Sequence, residues 1–191
     1  DPEGPTDQPT GTTIDVNYLI DEVVAEGFTV FDSANTTSMD LGGPPADTTS
    51  GLFLDTGGDS VFYTVTEVQE FEGVDGGLQK VTLSGDVSAE TSLIGTLDPW
   101  QQNNDNYRVR YMLYIASSNT GVQFKGRYWW PANSGGQYSD DFYPVNEWVT
   151  IDMDPKATTS TSQIIRYGFD EATSPLPPGS EIYFGPIVCY I

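Results

Sequence analysis

Apolar residues occur in short runs along the 191-residue chain. From Phe28 onward, stretches of Val, Ile, Leu, Tyr, Phe and Thr alternate with clusters of Gly, Pro, Asn, Asp and Ser, which is the trace left by half-buried strands and their turns. The spacing predicts strands over 28–32, 51–55, 60–68, 78–84, 107–116, 121–130, 147–153, 162–169 and 181–190. Only 15–26 has helical spacing, through Val16, Leu19, Ile20, Val23 and Val24, so one short helix is expected there. Residues 1–13 are rich in Pro, Thr and Gly and carry no apolar side chain, the composition of a tether. These features predict an all-β chain: an antiparallel β-sandwich or jelly roll forming one domain over 14–191. Segments 33–50, 85–106 and 131–146 read as long loops, of a length that usually carries function or is disordered.

Strand side chains alternate between two faces, which sorts the aromatic and basic residues. In 107–116 one face holds Tyr107, Val109, Tyr111, Leu113 and Ile115, and the other holds Arg108, Arg110, Met112 and Tyr114. After the turn 117–121, Val122, Phe124, Gly126 and Tyr128 oppose Gln123, Lys125, Arg127 and Trp129. If the turn makes a hairpin, Arg108, Arg110, Tyr114, Gln123, Lys125, Arg127 and Trp129 share one sheet face, with Arg166 able to join them. Flat rings stack on sugars, and guanidinium or amide groups give paired hydrogen bonds, so such a face suits a glycan. Bidentate guanidinium contacts would suit a uronate or sulfate as well. Tyr138, in the aromatic segment 127–143, is a further candidate contact.

Charge narrows the partners. Residues 1–79 hold 16 acids and no Lys or Arg, whereas 80–191 hold 12 acids and all 7 bases, for a net charge of −21. That excess repels nucleic acid, whose affinity for proteins comes mostly from Lys and Arg at phosphates. No apolar run approaches the roughly 20 residues that span a bilayer, so membrane insertion is not expected. The chain has no His and one Cys, which excludes imidazole general bases, His-ligated zinc and intrachain disulfides. Cys189 lies in the apolar run Ile187–Ile191 and is expected to be a small buried hydrophobe. Loop acids supply oxygen ligands for calcium, with Asp140 and Asp141 the candidate pair and Asp40, Asp47, Asp55 and Asp59 in other loops.

Three runs carry a family resemblance: Tyr107–Ala116, Asn146-Glu147-Trp148-Val149-Thr150-Ile151-Asp152 and Glu181–Val188. Together they resemble the later half of carbohydrate-binding modules with a galactose-binding-like jelly roll. The match covers roughly residues 105–190, more loosely 60–84. It implies ligand contacts on a concave sheet face, which maps onto Arg108, Arg110, Gln123, Arg127 and Trp129. Many such modules bind structural calcium through an Asp-Asn in the closing strand, where this chain has Gly185-Pro186.

The expected function is non-catalytic binding of a glycan or polysaccharide, outside the cell or at its surface. Hydrolysis would need a pair of carboxylates across a cleft, and no acid lies on the two strands that carry the aromatic and basic face. A jelly-roll lyase commonly pairs a Tyr with a His, which is absent here. The alternative is a structural subunit of a virion, as a capsid decoration or fibre protein, or of a cell-surface assembly. In that case the same face would meet a protein partner, with Trp, Tyr and Arg as anchors.

Overall fold

The computed structural model describes residues 14–30, 53–55, 63–86, 92–97, 106–129, 137–157, 165–170 and 172–190. Its elements are helix α1 (Val16–Ala25) and strands β1 (Phe53–Asp55), β2 (Tyr63–Phe71), β3 (Val74–Leu83), β4 (Ser92–Leu97), β5 (Asn106–Ala116), β6 (Gln123–Trp129), β7 (Gln137–Pro144), β8 (Trp148–Ala157), β9 (Ile165–Asp170) and β10 (Glu181–Tyr190). The strands form two five-stranded antiparallel sheets, ordered β2-β3-β10-β5-β8 in the first and β1-β4-β9-β6-β7 in the second. This is the all-β sandwich that the alternation predicts.

The core lies between the sheets. Val109, Tyr111, Leu113 and Ile115 of β5, Ile151 of β8, and Ile182, Phe184 and Ile187 of β10 meet Phe124 of β6 and Phe169 of β9. Phe124 and Phe169 pack edge to face at 5.9 Å. Burying each of the larger side chains contributes about 1.5–3 kcal/mol.

Two strands, β4 and β7, arise inside segments that read as loops, and of the expected 28–32 strand the described residues 28–30 make a single bridge, between Val30 and Tyr190. Segment 33–50 lies outside the described residues. Strand β2 runs past the expected end at 68 to Phe71, β3 begins at Val74 rather than 78, and the two meet in a two-residue turn, Glu72-Gly73, with φ of 49° and 79°. Positive φ at both positions gives the turn the twist of a tight hairpin.

Helix α1 forms where helical spacing predicts it. Asp15 caps it by accepting a 3.0 Å hydrogen bond from the Tyr18 amide. Leu19 and Val23, one turn apart, are fully buried and pack with Leu78, Met112, Val188 and Tyr190. The helix therefore covers part of the first sheet's outer face and builds a second, smaller core there.

Candidate functional site

The expected single face divides between two sheets. Strand β5 pairs with β10 and β8, whereas β6 pairs with β7 and β9, so the connection 117–122 crosses from one layer to the other. Hydrogen bonds hold both of its ends. Ser117 exchanges hydrogen bonds with the side chain of Asn146, at 2.9 and 3.0 Å, while the Gln123 backbone bonds Thr173, at 2.8 and 2.9 Å. One end of the connection is thus tied to the approach to β8 and the other to the segment after β9. The inward parity of Tyr111, Leu113, Val122 and Phe124 is as expected. The two inward faces oppose each other across the core, so the two outward sets lie on opposite sides of the molecule.

On the first sheet, Arg108 and Arg110 are engaged by the protein itself. Arg110 is 8% exposed and makes a fork-to-fork pair with Glu26 just beyond α1, both bonds at 2.8 Å. It also donates to Asp152 at 2.8 Å and lies 3.7 Å from Glu22. Arg108 lies 3.7 Å from Asp152, with its guanidinium over the rings of Phe28 (5.3 Å) and Tyr190 (5.6 Å). The Arg110 hydrogen bond holds the Glu26 carboxyl below its usual range. Burial, then the hydrogen bond to Asp152, pushes the Tyr190 phenol well above its usual value. Tyr114 belongs to an aromatic group in which Phe71 stacks on Tyr183 at 3.7 Å and the Trp148 indole donates to the Phe71 carbonyl at 3.1 Å. Beside it, Glu181 accepts from Tyr183 (2.6 Å) and Lys80 (3.0 Å), and the Tyr183 bond, then Lys80, lowers the Glu181 carboxyl. These residues fasten α1 to the sheet and tie the β2–β3 hairpin to β10, β5 and β8 within it.

The second sheet's outer face has no comparable cover among the described elements. Phe142 of β7 is 43% exposed, and the Lys125 ammonium sits 5.1 Å from its ring centre. Phe142 is the register partner of Lys125, Tyr138 of Arg127, and Arg166 of Trp129. Gln123 is exposed and Arg127 half-buried, while the side chains of Trp129, Tyr138 and Arg166 lie outside the described residues. Gln123, Lys125 and Arg127 are thus brought together on this face, away from Arg108, Arg110 and Tyr114. Sequence reasoning missed Phe142, which the structure places beside Lys125 on this face. Its i, i+4 relation to Tyr138 in a strand was the available signal, obscured because 131–146 read as a loop.

Asp140 and Asp141 are adjacent and exposed on β7, and among the described residues no three acidic side chains gather as a metal site. Gly185, in the closing strand, faces Met112 and Trp148, where an added Cβ would come within 3.0 Å of either side chain. Asp40, Asp47 and Asp59, and the side chains of Asp55 and Cys189, lie outside the described residues. No described helix is long and apolar enough to cross a membrane.

No protein-family model matches the chain, and no curated protein matches it. Carbohydrate-binding modules with β-sandwich folds are among the solved structures to which it is similar. One is a family 61 module in complex with β-1,4-galactotriose, at 11% identity and a TM-score of 0.46, covering 74% of this chain and 88% of that one. Another is the CBM22-1 xylan-binding domain from Paenibacillus barcinonensis Xyn10C, at 14% identity and a TM-score of 0.44, covering 74% and 86%. The enzymatically active domain of tailspike protein 4 from bacteriophage CBA120 is also similar, at 11% identity and a TM-score of 0.42, covering 82% of this chain and 22% of that one.

Proposed function

We propose that the protein binds an extended glycan or polysaccharide, without chemistry, on the outer face of the second sheet, and that it does so outside the cell or at its surface. The observation that carries the reading is the Lys125–Phe142 pair, an exposed ring bearing a cation on a sheet face that α1 leaves open. Phe142 offers a sugar a stacking surface, and Gln123, Lys125 and Arg127 offer hydrogen-bond donors around it. Trp129, as a second platform, and Tyr138 complete the proposed contacts. Arg108, Arg110 and Tyr114 lie on the opposite face, beside α1 and the β2–β3 hairpin, and are not part of the proposed site.

Affinity electrophoresis through gels of xylan, β-1,4-galactan and alginate tests this reading. Wild-type protein is expected to be retarded in at least one of them, and Trp129→Ala to migrate freely with an almost unchanged melting temperature. Retardation by none of these and of a broad glycan array contradicts it. Dissociation of oligomers by Trp129→Ala, with no glycan bound, would assign the face to protein assembly instead.

A further inference from the structure

Tyr111 belongs to the first sheet, yet its hydroxyl ends in the backbone of the second. The side chain is fully buried, and its hydroxyl donates to the Gly168 carbonyl at 2.6 Å and accepts from the Arg127 amide at 3.1 Å. Arg127 and Gly168 are register partners of β6 and β9, so one phenol fastens that rung from inside the core. The approach depends on the neighbouring residue. At Gly126 a Cβ would stand 3.0 Å from this hydroxyl and 2.5 Å from the Ile151 Cγ2 atom.

A second hydroxyl acts from the other side. Ser139 accepts the Gly126 amide at 2.9 Å and donates to the Asp141 carbonyl at 2.8 Å, where the β6–β7 register shifts between Lys125 and Arg127. Such irregularities bend a strand locally and re-aim its side chains. The direction of the Arg127 side chain on the outer face therefore depends on contacts made beneath it.

We infer that Tyr111 is a positioning residue for the glycan face: its hydroxyl, reaching across the sandwich, sets the β6–β9 rung from which Arg127 projects. This rests on the reading of the second sheet's outer face as the glycan site. Tyr111→Phe keeps the ring and removes only the hydroxyl, and glycan affinity is expected to fall about tenfold. Because the effect runs through Arg127, it disappears in an Arg127→Ala background, so the double-mutant cycle shows strong coupling.

The experiment measures affinity for the best-retained polysaccharide in wild type, Tyr111→Phe, Arg127→Ala and the double variant. It also follows the ring resonances of Tyr111 and Tyr114 while that polysaccharide is titrated into wild type. Coupling between the two substitutions, with shifts at buried Tyr111 and none at Tyr114, supports the inference. Additive losses, or wild-type affinity in Tyr111→Phe, overturn it and leave the glycan face standing. If Tyr111→Phe does not fold, the wild-type titration decides, and a silent Tyr111 ring overturns the inference. Absence of glycan binding by wild type overturns both.

Discussion

Arg110 and Glu26, 84 residues apart in sequence, meet fork to fork through two 2.8 Å hydrogen bonds. The pair joins the end of α1 to the middle of β5, and Asp152 of β8 accepts a third bond from the same guanidinium. A cation that reads in sequence as a ligand clamp is thus the fastening of the helix.

Removing that fastening should loosen the helix more than the sandwich. Arg110→Met leaves Glu22, Glu26 and Asp152 facing one another, and because these acids are partly exposed the expected cost is about 2 kcal/mol. Urea unfolding gives the total, and amide exchange should show larger loss of protection at Leu19 and Val23 than in β10. Equal loss in both places would contradict the assignment.

Stability should fall at both pH extremes. Glu26 and Glu181 have lowered pKa values in the folded protein, so their contribution is present above the ordinary carboxylate value of about 4.3 and is lost as pH drops through the depressed values. Tyr183 and Tyr190 have raised values, so theirs is present below about pH 10 and is lost as pH rises further. Urea midpoints should therefore decline below about pH 4 and above about pH 10. In Glu26→Gln the acid decline should be shallower, and an unchanged slope would count against the Arg110 hydrogen bond as its cause.

Gly126→Ala is expected to destabilise by about 2 kcal/mol, because the new methyl would meet Ile151 at 2.5 Å in a packed interior. Tyr111→Phe should lower that penalty by removing one of the atoms crowded. A chemical denaturation series of the single and double variants checks both statements.

Glu72 sits at φ 49° in the β2–β3 turn, where a residue that tolerates left-handed backbone does better. Glu72→Asn should raise stability by about 0.5 kcal/mol, read as an increase in urea midpoint with unchanged slope.

Much of the sandwich is legible from alternation alone. Val109, Tyr111, Leu113 and Ile115 occupy the core as their parity requires, and the bounds of β10 match the expected 181–190. The β4 strand was hidden because Ser92–Leu97 is short and interrupted by Gly95, and β7 because Asp140 and Asp141 break its apolar pattern. Topology was the larger gap. Parity tells which side of a strand Arg108 or Lys125 faces, but it does not tell whether β5 and β6 are hairpin partners or opposite layers. That choice is expressed in pairings with strands distant in sequence, and Asn146 and Thr173 tie the two ends of the connection to those separate layers. The role of Glu26 was hidden for the same reason, since its partner lies in a strand far along the chain.

Titration calorimetry on two outer faces tests the central claim most directly. Wild type, Lys125→Ala/Arg127→Ala on the second sheet, and Lys80→Ala on the first would be titrated with the polysaccharide that retards the protein best. Wild type should bind with a Kd between micromolar and millimolar, Lys80→Ala should match it, and the double variant should show no measurable heat while keeping its folded circular dichroism spectrum. Unchanged binding by the double variant together with loss in Lys80→Ala would contradict the claim and move the site to the helix-bearing face.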